Sequence, residues 1–205
     1  MTDLLSPADR MRLTQAIRLA EAQTSGEIFV VAARASSDYR LWGTLWSAVI
    51  ALLVPWPLYL AGWPGMPWLL VTQVVSFVLL SALLGTSFLA VRLTPGPIRR
   101  AATRKAALEQ FLAHGIHTTE ARTGVLIYVS LAEHAVEIIA DDGIHDLVGA
   151  KAWEGVVEVI RTDARAGRLA EGIEKAISIV GATLAQHWPV GRGDKNELPD
   201  RIVVL

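Results

Sequence analysis

The sequence predicts an α/β fold: a small mixed β-sheet flanked by helices, with a two-helix transmembrane hairpin inserted into it. Three observations carry the prediction. From Leu41 to Val91 there is no Asp, Glu, Lys, Arg or His, and Arg40 and Arg92 close the stretch. Residues 27–33 and 124–129 are apolar runs of the length of buried strands. A third run, 135–140, follows the second across the turn Leu131-Ala132-Glu133-His134, which sets that pair antiparallel.

Taken in order, Ser6 is placed to cap a first helix with Pro7 at its first position, and Leu13, Ile17 and Ala20 share one face. Thr24-Ser25-Gly26 ends it, and the first strand follows. A bilayer core of about 30 Å needs roughly 20 apolar helical residues, which residues 41–61 and 68–91 each supply. Gly62-Trp63-Pro64-Gly65-Met66-Pro67 turns the chain between them. Pro55 and Pro57 should kink the first span in its second half. Trp42 and Trp46 fall at one interface, Trp63 and Trp68 at the other, and Trp56 joins the latter if the first helix bends. Gly43 or Gly85 would allow close approach of a second copy in a homo-oligomer.

Beyond the hairpin, Thr94-Pro95-Gly96-Pro97 reads as a rigid linker. Ile98, Ala101, Lys105, Leu108 and Leu112 mark one face of a helix that ends near His114-Gly115. After the strand pair, Asp141-Asp142-Gly143 stops the chain. Helices are then predicted over about 145–166, with Trp153, Val157 and Ile160 on one face, and 169–187, with Ile173, Ile177, Val180 and Leu184. Trp188-Pro189 ends the last one. The tail closes on Ile202-Val203-Val204-Leu205, either an edge strand or a segment docked on the core. The organisation is thus 1–40, N-terminal helix and first strand; 41–93, hairpin; 94–189, the rest of the α/β domain; and 190–205, the tail. A helix between the first and second strands favours a parallel, right-handed crossover.

Composition narrows the function classes. Of 205 residues 52% are hydrophobic and the net charge is −1, so no nucleic-acid partner is expected. The absence of cysteine excludes disulfides, thiolate catalysis and Cys-ligated metals. The first residues lack the basic region and apolar core of a cleavable signal peptide. Arg34 and Arg40 precede the hairpin, Arg92, Arg99, Arg100, Arg104 and Lys105 follow it, and its turn has no basic residue. That asymmetry places both termini and the soluble domain in the cytoplasm.

Several segments resemble the TPM domain family: Ser25-Gly26-Glu27-Ile28-Phe29-Val30-Val31, the helix end Phe111-Leu112-Ala113-His114-Gly115-Ile116, Thr123-Gly124-Val125-Leu126-Ile127-Tyr128-Val129 with Val136-Glu137-Ile138-Ile139, and the two helices after Gly143. The resemblance covers about residues 10–190, and Asn196-Glu197-Leu198-Pro199-Asp200 looks like the signature of a bacterial subgroup with this inserted hairpin. It implies an α/β sandwich in a multi-pass protein of the bacterial inner membrane. Some members of the family are acid phosphatases acting in photosystem repair, and others are accessory proteins of membrane complexes. Where many members carry a small residue after the third strand, this chain has Asp141-Asp142.

Asp141 and Asp142, with His145 and Asp146 behind them, are the candidate catalytic and metal-binding residues. Strand ends are where α/β folds place ligands, and carboxylates with an imidazole suit a divalent cation such as calcium or magnesium. The simpler reading is a turn in which Asp142 or Asp146 caps a helix. Glu27 and Asp38 are further potential ligands, though solvated surface is the simpler fate of Asp38, as it is of His114, His117 and His134. Asn196, Glu197 and Asp200 are candidate interaction residues, for partner docking or for locking the tail onto the core. Two functions follow: an accessory or docking module held in the lipid bilayer beside a membrane-protein partner, or a metal-assisted, acid-phosphatase-like hydrolase at Asp141 and Asp142.

Overall fold

Ser6 opens the first helix, α1 (Pro7–Glu21), through a reciprocal cap. Its hydroxyl accepts the Asp9 N–H at 3.1 Å and the Asp9 carboxylate accepts the Ser6 N–H at 3.1 Å, satisfying donors that a helix start leaves free. The computed structural model describes residues 4–62, 65–119, 121–191 and 197–205. They form two units, Met1–Ser36 with Thr103–Leu205, and Ser37–Ala102.

In the first unit, β1 (Glu27–Ala33) is buried along its whole length. It pairs in parallel with β2 (Gly124–Ser130), Glu27 opposite Gly124 and Ala33 opposite Ser130. β3 (Ala135–Ala140) runs antiparallel to β2, and β4 (Ile202–Val204) adds in parallel to the far side of β1, giving the order β3-β2-β1-β4. The tail is therefore an edge strand. Alternation along β1 and β2 feeds two cores. Ile28, Val30, Val125 and Ile127 pack with Leu13 and Ile17 of α1 and with α8 (Glu154–Arg165) and α9 (Leu169–His187), to which Ile160, Ile173, Ile177 and Val180 belong. Phe29, Val31, Leu126 and Tyr128 meet Ala107 and Phe111 of α6 (Gly96–Ala113) on the other face.

Three expectations for these helices are corrected. Gly96 and Pro97 begin α6 instead of forming a linker, because the Pro95 carbonyl accepts from Ile98 and Arg99 and a proline is compatible with a first turn. That helix buries Thr103, Ala107 and Phe111 while Ile98, Leu108 and Leu112 are exposed. The single helix over 145–166 is instead α7 (Asp142–Val148), a 3₁₀ turn (Ala150–Trp153) and α8, divided at Gly149, whose φ of 71° suits glycine. Val156, not Val157, is then the buried valine.

The second unit is α2 (Arg40–Leu53), α3 (Pro55–Leu60), α4 (Met66–Leu84) and α5 (Ser87–Leu93). The break at Val54 falls immediately before Pro55, as a missing backbone donor requires. The second span, expected to run to Val91, stops at Leu84, where Gly85 and the extended Thr86 turn the chain into α5. Gly43 packs against this stop: a Cβ there would lie 2.2 Å from the Leu84 carbonyl oxygen. Gly43 is therefore used inside the hairpin. Ser47 donates to the Gly43 carbonyl at 2.7 Å and the Trp46 indole to that of Leu93 at 3.2 Å. Residues Arg40–Leu60 and Met66–Leu84 are long and apolar enough to cross a membrane. Only 17% and 6% of their apolar windows are buried, whereas a soluble core helix would be mostly covered. Trp46, Trp56 and Trp68 are exposed; Trp63 lies outside the described residues.

Candidate functional site

The direction of β3 decides what Asp141 can do. Because β3 is antiparallel to β2, its carboxyl end lies beside the amino ends of β1 and β2, and the Asp141 N–H donates to the Gly124 carbonyl at 2.9 Å. The crevice rule refers to the carboxyl ends of parallel strands, which lie at the opposite end of this sheet. Asp141 itself caps α7, not Asp142 or Asp146: its Oδ1 accepts the Asp142 N–H at 2.7 Å. It is 5% exposed, and its Oδ2 is buried without a hydrogen-bond partner among the described residues.

The neighbouring candidates diverge from it. Asp142 has a side chain 83% exposed and pairs with Arg122 at 3.2 Å. His145 and Asp146 are exposed, and so is Asp38, whose carboxylate accepts the Arg40 N–H at 3.0 Å. Among the described residues no group of three or more His, Cys, Asp or Glu is placed to hold a metal ion. Calcium needs roughly six to eight oxygen ligands, and magnesium near-octahedral geometry. The Asp141 corner does not fit either cation.

Elsewhere the structure gathers carboxylates that sequence spacing leaves scattered. Glu21, at the end of α1, accepts the Ile28 N–H at 2.8 Å, and Glu27 accepts the Glu197 N–H at 2.9 Å. Asp200 accepts from Arg18 at 3.1 Å. Burial, reinforced by the charges of Glu27 and Asp200, pushes the Glu21 carboxyl up to about 8. Burial raises Glu27 as well, against the N–H groups of Glu197 and Leu198 that hold its charged form. Glu197 and Asp200 thus sit where the tail meets α1 and β1; Asn196 lies outside the described residues.

At the carboxyl ends of β1 and β2, Glu133 accepts the Ser36 N–H at 2.8 Å and a hydrogen bond from the Ser130 hydroxyl, while the Tyr128 hydroxyl meets that of Ser36 at 3.2 Å. The available signals were a serine closing an apolar run and a glutamate in the following turn, both too ordinary to single out. His114, expected on the surface, stacks 4.5 Å from the Phe29 ring, and burial, followed by the charge of Arg201, lowers its pKa. His117 and His134 are exposed. A cleft of about 460 Å³ between β3 and α8, lined by Ile138, Trp153, Val157 and Arg161 among others, had no sequence signature.

A three-layer α/β domain with a mixed sheet, its first crossover interrupted by an apolar helical hairpin, is the class this chain represents. Residues 91–183, from α5 into α9, match the family model of the TPM domain. β1 and β4 lie outside the matched span. Among solved structures the chain is similar to the NMR structure of the BA42 protein from the psychrophilic bacterium Bizionia argentinensis. The TM-score is 0.64 and the identity 20%, over 100% of this chain and 98% of that one, a likeness of fold alone. No curated protein matches the chain significantly.

Proposed function

We propose that this chain is a membrane-anchored accessory module: the hairpin holds the TPM domain at a lipid bilayer, where the domain docks a membrane-protein partner. The observation that carries the reading is the outward face of α2, α3 and α4. Leu52, Trp56, Leu60, Met66, Leu70 and Val74 are all exposed, in a segment without a single charge between Leu41 and Val91. Each such side chain gains roughly 1.5–3 kcal/mol on leaving water, and lipid is the medium that covers all of them at once. In this reading the bilayer is a bacterial inner membrane with the ends of the hairpin in the cytoplasm, which the arginines on both flanks support.

The test is proximity labelling and co-purification of the full-length chain from native membranes. A reproducible membrane-protein partner is the expected outcome. Recovery of the chain alone in every preparation sinks the docking role, and recovery in the wash after carbonate extraction sinks the anchor.

A further inference from the structure

We propose that the free edge of β3 is a self-association surface, on which two copies of this chain pair their β3 strands antiparallel about a two-fold axis at Ile138. β3 is the outermost strand of the sheet. The Asp141-to-Gly124 hydrogen bond at 2.9 Å sets the phase of its ladder with β2. In an antiparallel ladder, alternate residues bond to the neighbour and those between turn their backbone groups away. Glu137 and Ile139 therefore bond to β2, while Val136, Ile138 and Ala140 present N–H and C=O to the open side. Among the described residues nothing outside the sheet accepts from or donates to those groups. This edge, apolar but for Glu137, which pairs with Arg104 at 3.6 Å, is a template for another strand, and native sheets ordinarily blunt or cover such an edge.

The edge is one wall of a cleft of about 460 Å³, and one face of α8 is the other, with Trp153, Glu154, Val157, Glu158 and Arg161. Trp153 is 6% exposed and lines the cleft.

Charge identifies the incoming chain. Glu154 stands at one end of the α8 face and Arg161 at the other, and their midpoint, between Val157 and Glu158, borders the same cleft as Ile138. A two-fold rotation brings Glu154 of each copy opposite Arg161 of the other. Glu154 has no ion pair among the described residues, and Arg161 has only an exposed contact with Glu158 at 3.9 Å. An isologous interface requires this kind of self-complementary pattern. Exposed pairs contribute little to affinity, so they set register while the backbone ladder and the Ile138–Val157 surface supply the association.

The chain has no cysteine, so the full-length double variant E154C/R161C, oxidised in native membranes or detergent, tests the arrangement. Seven residues along a helix span about 10.5 Å, beyond the roughly 7 Å limit for bridging two Cα atoms, so a disulfide forms only between copies. The expected result is a reducible dimer from the double variant and little from either single variant. R161E should weaken dimerisation about tenfold, through loss of two exposed pairs, and E154R/R161E should restore it. A double variant that folds and stays monomeric on oxidation overturns the proposal. Equal cross-linking of the single variants, or capture of a different protein at these positions, overturns it as well. Dimerisation needs no other protein, so its failure is distinguishable from failure of the docking role.

Discussion

Glu21 is the side chain through which pH reaches the tail. It lies where α1 gives way to β1, its carboxyl is raised from an ordinary 4.5 to about 8 chiefly by burial, and Asp200 of the tail adds to the rise. A carboxyl whose folded pKa exceeds its unfolded one binds a proton in the fold that the unfolded chain has already lost. Its stabilising effect is complete below pH 4.5, declines as pH rises, and is gone above about 8. Denaturation midpoints should therefore fall across that window. Glu21→Gln, which keeps the shape and removes the charge, should flatten the slope and stabilise the domain above pH 8 by about 1–3 kcal/mol. An unchanged slope would assign the effect to Glu27, whose carboxyl is also raised. The two aspartates after β3 separate just as cleanly. Asp141→Ala removes the α7 cap and should cost about 1 kcal/mol, whereas Asp142→Ala loses one exposed pair with Arg122 and should stay within about 0.5 kcal/mol, both read from urea titrations. That an aspartate caps this helix was legible in the sequence. Which one was not, because the cap is chosen by the extended backbone at Asp141 (φ −67°, ψ 163°), and three nearby aspartates have the same chemistry.

At the scale of elements, the strands and their directions were readable because β1 and β2 are buried on both faces and so carry no polar alternation to confuse the reading. The turn at Leu131-Ala132-Glu133-His134 is too short for anything but an antiparallel pair. α6 was legible as a helix and illegible in its orientation. Size favoured Leu108 and Leu112 as its core face, yet the residues that meet Phe29 and Tyr128 are Ala107 and Phe111, one position earlier in each pair. A step of one residue turns a helix face by about 100°, and only the tertiary contact chooses between the two. The end of α4 has a similar origin: apolar composition continues to Val91, but Gly85 and Thr86 leave the helix. Gly43 accepts that turn at a distance no side chain tolerates. Gly43→Leu should therefore force α2 from the end of α4 at a cost of about 1–3 kcal/mol or more, measured as a lower thermal midpoint in detergent. An unchanged midpoint would mean that the contact is dispensable.

For the whole molecule, sheet pairing constrains membrane topology before any charge is considered. β1 precedes the hairpin and β2 follows it, yet the two form one continuous parallel ladder from Glu27 opposite Gly124 to Ala33 opposite Ser130. A chain that enters a bilayer after β1 must leave it on the same side before β2, or the sheet cannot close. Two crossings meet that condition and one does not, in agreement with two helices of adequate length. Charge bears on the side: basic residues flank the hairpin and none lies in its turn, the pattern from which the proposed cytoplasmic placement of the ends is drawn. Because the native chain lacks cysteine, single reporters read this directly. Met66→Cys, at an exposed position beside the turn, should react with a membrane-impermeant maleimide on intact spheroplasts. Arg165→Cys, on the exposed surface of α8, should react only after permeabilisation. The reverse pattern would invert the orientation and leave both crossings in place. Labelling of both sites on intact spheroplasts would put the α/β domain outside the cell and overturn the cytoplasmic assignment, while protection of both sites until permeabilisation would mean that the hairpin dips into the bilayer without crossing it.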